Sequence, residues 1–318
     1  MITRSFIARF ATCAAVVNAL VCGTALRTAG AQATTTPVSA QAAVPGPPLA
    51  KTGLFKRHTD FPSRLVDARN IDVWLPPDYN TTGRRYAVIY MHDGQNVFDP
   101  ATAYGGVDWA VDETMQHLVT TDSIRPAIIV AIWNTPKRML EYMPRRPLGT
   151  DTVFATGLAS PSVVTGQVLS DAYLRFITTE LKPFIDRTYR TRPDRSDTFM
   201  IGSSMGGLFS LYAISELPGI FGKVASLSTH WPAADGKMLE YLRHSAPNPS
   251  DHRIYFDRGT ATLDSLYGPY QDKVDAIMRG HKYEQGKQFV SLVFNGADHS
   301  ERAWRQRMDI VLKWMLEK

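Results

Sequence analysis

Short apolar runs alternate with helical patterns along most of this chain, and this alternation constrains the fold more than any other feature. Continuous apolar runs suit strands that are covered on both faces, as in a mainly parallel sheet. The sequence predicts strands at residues 86–91, 127–132, 198–201, 223–227, 253–256 and 289–294. It predicts helices at residues 109–118, 168–186, 207–216, 267–280 and 303–316. This order indicates an α/β fold, with a mostly parallel central sheet and helices on both faces.

One further run predicts a strand of a different kind. Residues 71–75 are mostly apolar and directly precede the pair Pro76-Pro77, which cannot continue a strand within a sheet. We expect this strand to lie antiparallel to its neighbour at the front edge of the sheet.

The amino terminus has the pattern of a secretory signal. Arg4 and Arg9 precede residues 10–26, a segment that is apolar or small apart from three polar residues. The small residues around Ala31 and Ala33 fit cleavage after either one. The apolar run is short for a transmembrane helix, which needs about 20 residues, so we expect no stable membrane anchor.

The chain is therefore expected to divide into three parts. Residues 1–33 form the signal peptide, and residues 34–50, which are small, Pro-rich and nearly uncharged, form a linker. Residues 51–318 form one domain. Such a protein is exported and acts in the periplasm or outside the cell.

Removing the signal changes what the net charge implies. The whole chain carries 35 Lys and Arg against 30 Asp and Glu, a formal net charge of +5. Three of the arginines and no acidic residue lie in the signal, so the remainder has a net charge of +2. That surplus is too small to indicate nucleic-acid binding. Cys13 and Cys22 also lie in the signal, so we expect neither a disulfide nor thiol catalysis in the mature protein.

The segment Gly202-Ser-Ser-Met-Gly206 matches the pattern G-x-S-x-G and predicts a nucleophile. It follows a predicted strand and precedes a predicted helix, which is the context that this motif requires. A sharp turn there holds the central serine, Ser204, in a strained conformation with its hydroxyl above the end of the sheet. The amino terminus of the following helix adds partial positive charge where an oxyanion forms.

A serine nucleophile needs a base, and the order Ser, Asp or Glu, His is the expected one. Of the histidines after Ser204, only His299 follows the last predicted strand, in a turn-rich loop. For the acid, the loop after residues 253–256 offers Asp264, which we favour, and Asp257 at the strand end. Asp298 adjoins the histidine and is poorly placed to bond its ring.

Two backbone amides are needed to stabilise the oxyanion. The first candidate is Met205, directly after the nucleophile, and the second is Gln95, in the loop at residues 92–96 after an earlier strand. The same loop contains His92-Asp-Gly94, which suggests a metal site. No second cluster at ligand spacing accompanies it, so we expect neither a metal nor a cofactor.

At these residues the chain resembles the putative esterase family of α/β-hydrolases, which includes S-formylglutathione hydrolases, feruloyl and acetyl-xylan esterases, siderophore esterases and mycolyltransferases. The resemblance runs from about residue 71 to 314 and is carried by residues 90–96, 132–134, 141–144, 201–207, 227–231 and 296–304. It implies an α/β-hydrolase fold.

The resemblance also implies roles for individual residues. The family's nucleophile and base fall on Ser204 and His299, and its oxyanion amides on Met205 and Gln95. The chain departs from the family at the acid, because many relatives carry the carboxylate where this chain has Thr262, two residues before Asp264.

The segment at residues 134–166 is the expected place for substrate recognition, because it is inserted between a strand and the next helix. Two interpretations of its charged residues are open. In one, Arg138 and Glu141 pair at helical spacing on a surface loop. In the other, the arginines Arg138, Arg145 and Arg146 contact an anionic group of the substrate.

Aromatic residues are the remaining candidates for substrate contact. Trp109, Trp133 and Trp231 could form the wall of an acyl or sugar pocket, although a place in the core is the alternative for at least one of them.

A hydroxyl nucleophile with a histidine base and an oxyanion hole performs acyl transfer, most simply the hydrolysis of a carboxylic ester through an acyl-enzyme. The expected substrate is a small-molecule or glycan-linked ester. The alternatives are an acyltransferase with the same residues, a peptidase, and a non-catalytic binding protein built on a hydrolase fold.

Overall fold

The computed structural model describes residues 52–151, 153–155 and 163–318. The predicted signal peptide and linker, residues 1–33 and 34–50, lie outside the described residues.

The described part of the chain contains ten strands: β1 (Leu54–Phe61), β2 (Arg69–Leu75), β3 (Ala87–Met91), β4 (Ala127–Ile132), β5 (Val153–Ala155), β6 (Val163–Thr165), β7 (Thr198–Ser203), β8 (Lys223–Leu227), β9 (Arg253–Arg258) and β10 (Phe289–Val293). Strands β3, β4, β7, β8, β9 and β10 match the predicted runs to within two residues at each end. The short strands β5 and β6 form a separate antiparallel pair, which the sequence did not predict.

The helices of the described residues are α1 (Val111–Thr120), α2 (Arg138–Tyr142), α3 (Arg145–Leu148), α4 (Ser170–Arg175), α5 (Lys182–Thr188), α6 (Met205–Glu216), α7 (Lys237–Ser245), α8 (Gly268–Gly280) and α9 (Glu301–Met315). A π-helical segment, Phe176–Leu181, joins α4 to α5, so the single helix predicted there is continuous but irregular. Helices α2, α3 and α7 were not predicted. None of the helices in these ranges is long and apolar enough to span a membrane.

The eight remaining strands of the described chain form one sheet in the order β1-β2-β4-β3-β7-β8-β9-β10. Strand β2 pairs antiparallel with both β1 and β4, and all other neighbours are parallel. The predicted α/β class with a mostly parallel sheet is therefore confirmed. The predicted antiparallel strand exists, but its placement at the edge is wrong because β1 lies outside it.

Both faces of the sheet are covered because the central strands are apolar at every position. In β3, Val88 and Tyr90 face one buried cluster, while Ile89 and Met91 face the other. The second cluster also contains apolar side chains of α1 and α9, and the first contains those of α4 to α8. With helices on both faces, the loops at the carboxyl ends of the parallel strands are left to form a site at one edge of the sheet.

Candidate active site

The turn between β7 and α6 holds Ser204 in an unusual backbone conformation. Its φ is 55° and its ψ is −123°, and its N–H donates to the carbonyl of Leu227 on the neighbouring strand (2.8 Å). The turn requires glycine, since a Cβ on Gly202 would lie 2.4 Å from the carbonyl carbon of Gly206. The structure therefore has the sharp strand-turn-helix geometry that the motif predicts.

The His299 ring is hydrogen-bonded to a buried carboxylate. His299 Nδ1 lies 2.6 Å from Oδ1 of Asp264, which is in a 3-10 turn after β9. The other oxygen of Asp264 accepts hydrogen bonds from the Ser228 hydroxyl and the Gly259 N–H, both at 2.5 Å. Burial alone would raise the pKa of Asp264, but these bonds, with the largest from His299, lower it. The carboxylate is thus fixed and held in its charged form.

The other two candidate acids have different partners. Asp257 Oδ1 accepts from the buried Arg307 guanidinium at 2.7 Å, and from the Ser228 N–H at 3.0 Å. The Asp298 carboxylate accepts from the Ser300 hydroxyl and the Arg302 guanidinium. Of the three acids, the structure brings Asp264 to the histidine ring.

Thr262, in the loop that carries Asp264, also contacts His299. The Thr262 hydroxyl accepts a hydrogen bond from the backbone N–H of His299 at 2.9 Å. Thr262 therefore holds the histidine's backbone, while Asp264 holds its ring.

Two aromatic rings pack edge-on against His299. The rings of Tyr267 and Trp304 lie 5.7 and 5.1 Å from it, centroid to centroid. Trp304 Nε1–H donates to the Ser228 hydroxyl at 3.0 Å, and the Tyr267 hydroxyl lies 2.6 Å from Nδ1 of His230. The sequence predicted no role for Ser228, Tyr267 or Trp304, because nothing in the pattern distinguishes them from other core residues.

The loop after β3 approaches the sheet closely. Asp93 has a left-handed backbone (φ 54°), and a 3-10 turn follows at Gly94–Asn96. A Cβ on Gly94 would lie 2.6 Å from the carbonyl carbon of Ala131, so only glycine fits there. The Gln95 carbonyl accepts from the Thr102 hydroxyl at 2.7 Å, which fixes the peptide that follows Gln95.

Arg138 is bound to the same loop. Its Nε and one Nη donate to the two carboxylate oxygens of Asp93 at 2.7 and 2.9 Å, and the Asn134 side chain donates to Asp93 at 2.5 Å. Burial alone would raise the pKa of Asp93, but the charge and hydrogen bonds of Arg138 lower it. The predicted pairing of Arg138 with Glu141 is wrong, because Glu141 binds the buried Arg69 guanidinium instead (2.6 Å).

A cavity of about 440 Å³ brings many of the predicted residues together. It is lined by Asp93, Gln95, Asn96, Tyr104, Asn134, Arg138, Ser203, Ser204, His299, Glu301 and Trp304. Nine of these eleven residues are polar or charged, and the other two, Tyr104 and Trp304, are large aromatic residues. Met205, the other predicted oxyanion residue, follows Ser204 as the first residue of α6.

The tryptophans proposed as pocket walls are not among these lining residues. Trp109 is fully buried and packs edge-on against Trp304, and Trp231 is fully buried with its Nε1–H on Gln271 (3.0 Å). Trp133 donates its Nε1–H to Asp72 at 2.9 Å. The predicted substrate contacts at Trp109 and Trp231 are therefore wrong, since both rings belong to the core.

The arginines of α3 also lie outside the cavity lining. Arg145 donates to the carbonyl of Asp151 (2.9 Å), and Arg146 pairs with Glu216 (2.6 Å). Their proposed contact with an anionic substrate group is not supported, and Arg138 is the one arginine of that set that reaches the cavity.

Potential metal ligands lie at two places in the described residues, the His92 loop and an acidic cluster. His92 is fully buried and burial lowers its pKa to about 3, so its ring is neutral, with Nδ1 3.1 Å from the Tyr173 hydroxyl. In the described residues, Asp108, Asp112 and Glu113 form the one acidic cluster with metal-like spacing. The Arg305 guanidinium already contacts this cluster at Asp108 (2.5 Å).

Comparison with known proteins places the chain in a family. A family model described as putative esterase matches residues 63–315. An uncharacterized protein of Bacillus subtilis (strain 168), YbbA, is 21% identical over 79% of this chain and 93% of its own length.

Solved structures share the fold. A ferulic acid esterase superimposes with a TM-score of 0.59 and 18% identity, over 83% of this chain and 98% of the other. The enterobactin esterase FES from Shigella flexneri superimposes with a TM-score of 0.61 and 19% identity, over 85% of this chain and 60% of the other. At such identities the likeness shows a common architecture.

Proposed function

The chain belongs to the putative esterase family of α/β-hydrolases and is a carboxylic ester hydrolase, and we propose that it works through a Ser204–His299–Asp264 triad and an acyl-enzyme. The observation that carries this proposal is the 2.6 Å contact between His299 Nδ1 and Asp264 Oδ1, in a histidine that lines the same cavity as Ser204. A histidine held in this way keeps its Nε2 free to act as a base.

The proposed first step is attack of Ser204 Oγ on the ester carbonyl carbon. His299 Nε2 takes the hydroxyl proton as the bond forms, and Asp264 stabilises the resulting imidazolium. The tetrahedral intermediate then breaks its bond to the alcohol oxygen, which leaves with the proton from His299. Water repeats the sequence on the acyl-enzyme and releases the acid.

The oxyanion is proposed to lie between the N–H groups of Met205 and Gln95. Met205 begins α6, so the helix amino terminus adds partial positive charge at that point. Gln95 is supported by its place in the cavity lining, in the 3-10 turn Gly94–Asn96.

The decisive experiment replaces Ser204 with alanine and measures hydrolysis of p-nitrophenyl acetate. Removal of such a serine costs on the order of 10⁶-fold in kcat, so we expect activity below about 0.1% of wild type. Ser210→Ala is the matched control, because its hydroxyl donates to the Gly206 carbonyl within α6. A fluorophosphonate probe should label the wild type and the control at Ser204.

The proposal fails if Ser204→Ala is folded, by circular dichroism, and still hydrolyses the ester at more than about 0.1% of the wild-type rate. Such a result would leave the family's chemistry to a different nucleophile.

The natural substrate is proposed to be a small-molecule or glycan-linked ester.

The protein is proposed to act in the periplasm or outside the cell. This proposed location depends on the amino-terminal pattern of a secretory signal. Amino-terminal sequencing of the exported protein should find cleavage after Ala31 or Ala33, and an intact amino terminus on protein recovered from the cytoplasm would contradict it.

A further inference from the structure

The cavity lining contains one cation, and its charge is already neutralised. Two donors on one edge of the Arg138 guanidinium, Nε and one Nη, are hydrogen-bonded to Asp93 at 2.7 and 2.9 Å. The Asp93 carboxylate is almost completely buried, so this pair is desolvated and well fixed. Arg138 thus balances Asp93 and adds little net positive charge to the cavity.

Glu301 is a second carboxylate in the same lining, and it lacks such a partner. It is the first residue of α9, two positions after His299. The Asn96 side chain donates a long hydrogen bond to it, at 3.4 Å. Among the ion pairs of the described residues, none includes Glu301, whereas Arg302 and Arg305 of the same helix pair with Asp298 and Asp108.

The groups that act on Glu301 agree with this charge balance. Burial raises the pKa of Glu301, and the Asp93 carboxylate adds to the rise, while His299 and Arg138 oppose it. The net effect is upward, and burial is its largest cause, while a backbone hydrogen bond at Glu301 also opposes the rise. With Arg138 balanced by Asp93, the cavity has an excess of one carboxylate.

We propose that Glu301 determines substrate specificity, and that it selects esters whose groups beside Ser204 are cationic or carry hydrogen-bond donors, and rejects anionic esters. The inference rests on the proposed function, because it assumes that the ester reacts at Ser204. A half-buried carboxylate accepts hydrogen bonds from hydroxyl or ammonium groups. Because Glu301 is half-buried, its repulsion of a second anion is stronger than it would be in water.

The test uses three p-nitrophenyl esters of equal acyl length: pentanoate, which is neutral, the glutarate monoester, which is anionic, and 4-(trimethylammonio)butanoate, which is cationic. Each kcat/KM is divided by the ester's rate of alkaline hydrolysis, which removes differences in intrinsic reactivity. We expect the wild type to use the anionic ester at least tenfold less well than the neutral one. The cationic ester should be equal to the neutral one or better.

The variant Glu301→Gln keeps the shape and removes the charge, so the ratio of anionic to neutral ester should rise at least fivefold. Glu284→Gln makes the same change on a carboxylate that is outside the cavity lining and pairs with Lys287, and it should leave the ratio unchanged. A second series with the charge on the alcohol, acetates of choline and of 3,3-dimethylbutanol, covers the other side of the scissile bond.

The proposal is overturned if the wild type discriminates in neither series, or if Glu301→Gln leaves the ratios unchanged. These outcomes differ from failure of the proposed function, in which the neutral ester is not hydrolysed or Ser204→Ala remains active. Because the readout is a ratio within one variant, a general loss of activity in Glu301→Gln does not affect it.

Discussion

Asp264 and His299 are 35 positions apart in the chain, yet their side chains meet at 2.6 Å. The sheet explains the meeting, because β9 and β10 are parallel neighbours, with Leu292 beside Asp257. The loops that follow them therefore begin at the same edge. The acid lies beyond the end of its strand because Gly259 turns the chain directly against the carbonyl of Ala297, where a Cβ would lie 2.1 Å from the oxygen.

Replacing Asp264 with asparagine should remove the charge and the correct ring tautomer of His299 together. We expect kcat for p-nitrophenyl acetate to fall by about 10³–10⁴-fold, as in other triads of this geometry. The measurement is steady-state kinetics at pH 8, with circular dichroism as the check on folding.

Asp257→Asn is the informative counterpart, because it tests the acid that the sequence left open. Asp257 is bound to Arg307, so this change should lower stability and reduce kcat far less than Asp264→Asn does. If the two variants lost activity in the reverse order, Asp257 would be the acid and the assignment of Asp264 would be wrong.

Ser228 is expected to position the acid. Its hydroxyl donates to Asp264 Oδ2 and accepts hydrogen bonds from Arg307 (2.7 Å) and Trp304. These two donors fix the orientation of the hydroxyl that binds the carboxylate. Ser228→Ala should lower kcat roughly tenfold with KM within about threefold of wild type, since the loss acts on orientation rather than on substrate binding. A rise in KM at unchanged kcat would instead place Ser228 in substrate contact.

The sequence was sufficient to predict most strands of the central sheet. It was also sufficient to select candidate site residues, in the chain order Ser204, Asp264, His299. Continuous apolar runs such as Ala127–Ile132 exist because both faces are covered, so their pattern is strong and their bounds were accurate. By contrast, β1 (Leu54–Phe61) is half-exposed at the edge and carries polar residues, so nothing distinguished it from a loop.

Long-range ion pairs were beyond the reach of spacing arguments. Arg138 and Glu141 are three residues apart on one helix, which favoured a local pair, but each has a better partner on another element. Asp93 and Arg69 are already buried by the sheet and need a countercharge, whereas a local surface pair contributes little. The predicted substrate contacts of Trp109 and Trp231 were wrong because large aromatic rings are used most often in the core, where both residues are buried.

Asp93 is expected to hold the loop that carries Gln95. Asp93→Asn keeps the size of the side chain and tolerates the left-handed backbone, but it loses the charge-assisted bonds from Arg138. The kcat for a neutral ester should fall about tenfold or more while KM stays within about threefold. Freeing Arg138 should also ease the use of the anionic glutarate ester relative to the neutral one.

A boronic acid inhibitor that mimics the tetrahedral intermediate gives the second readout for Asp93→Asn. If the loop places an oxyanion donor, affinity for the inhibitor should fall in parallel with kcat. Unchanged affinity with a lowered kcat would argue that Asp93 acts elsewhere than on the oxyanion.

Asp112, in the first turn of α1, should make the protein less stable as the pH rises. It is almost fully buried, and burial together with the neighbouring Glu113 carboxyl raises its pKa to about 7. In the unfolded chain the group titrates near 3.9, so folding favours the protonated form. Its contribution to stability is complete below about pH 4 and is lost as the pH rises through 7.

The variant Asp112→Asn tests this dependence, because asparagine is neutral at every pH and can donate a hydrogen bond to Glu113. We expect its Tm to exceed that of wild type by about 2 °C or more at pH 8, and to match it at pH 4. Glu240→Gln, an exposed acid paired within its own helix, should shift Tm little at either pH. A variant less stable than wild type at pH 8 but equal to it at pH 4 would contradict this, because that pattern requires a charged and stabilising Asp112 in the folded protein.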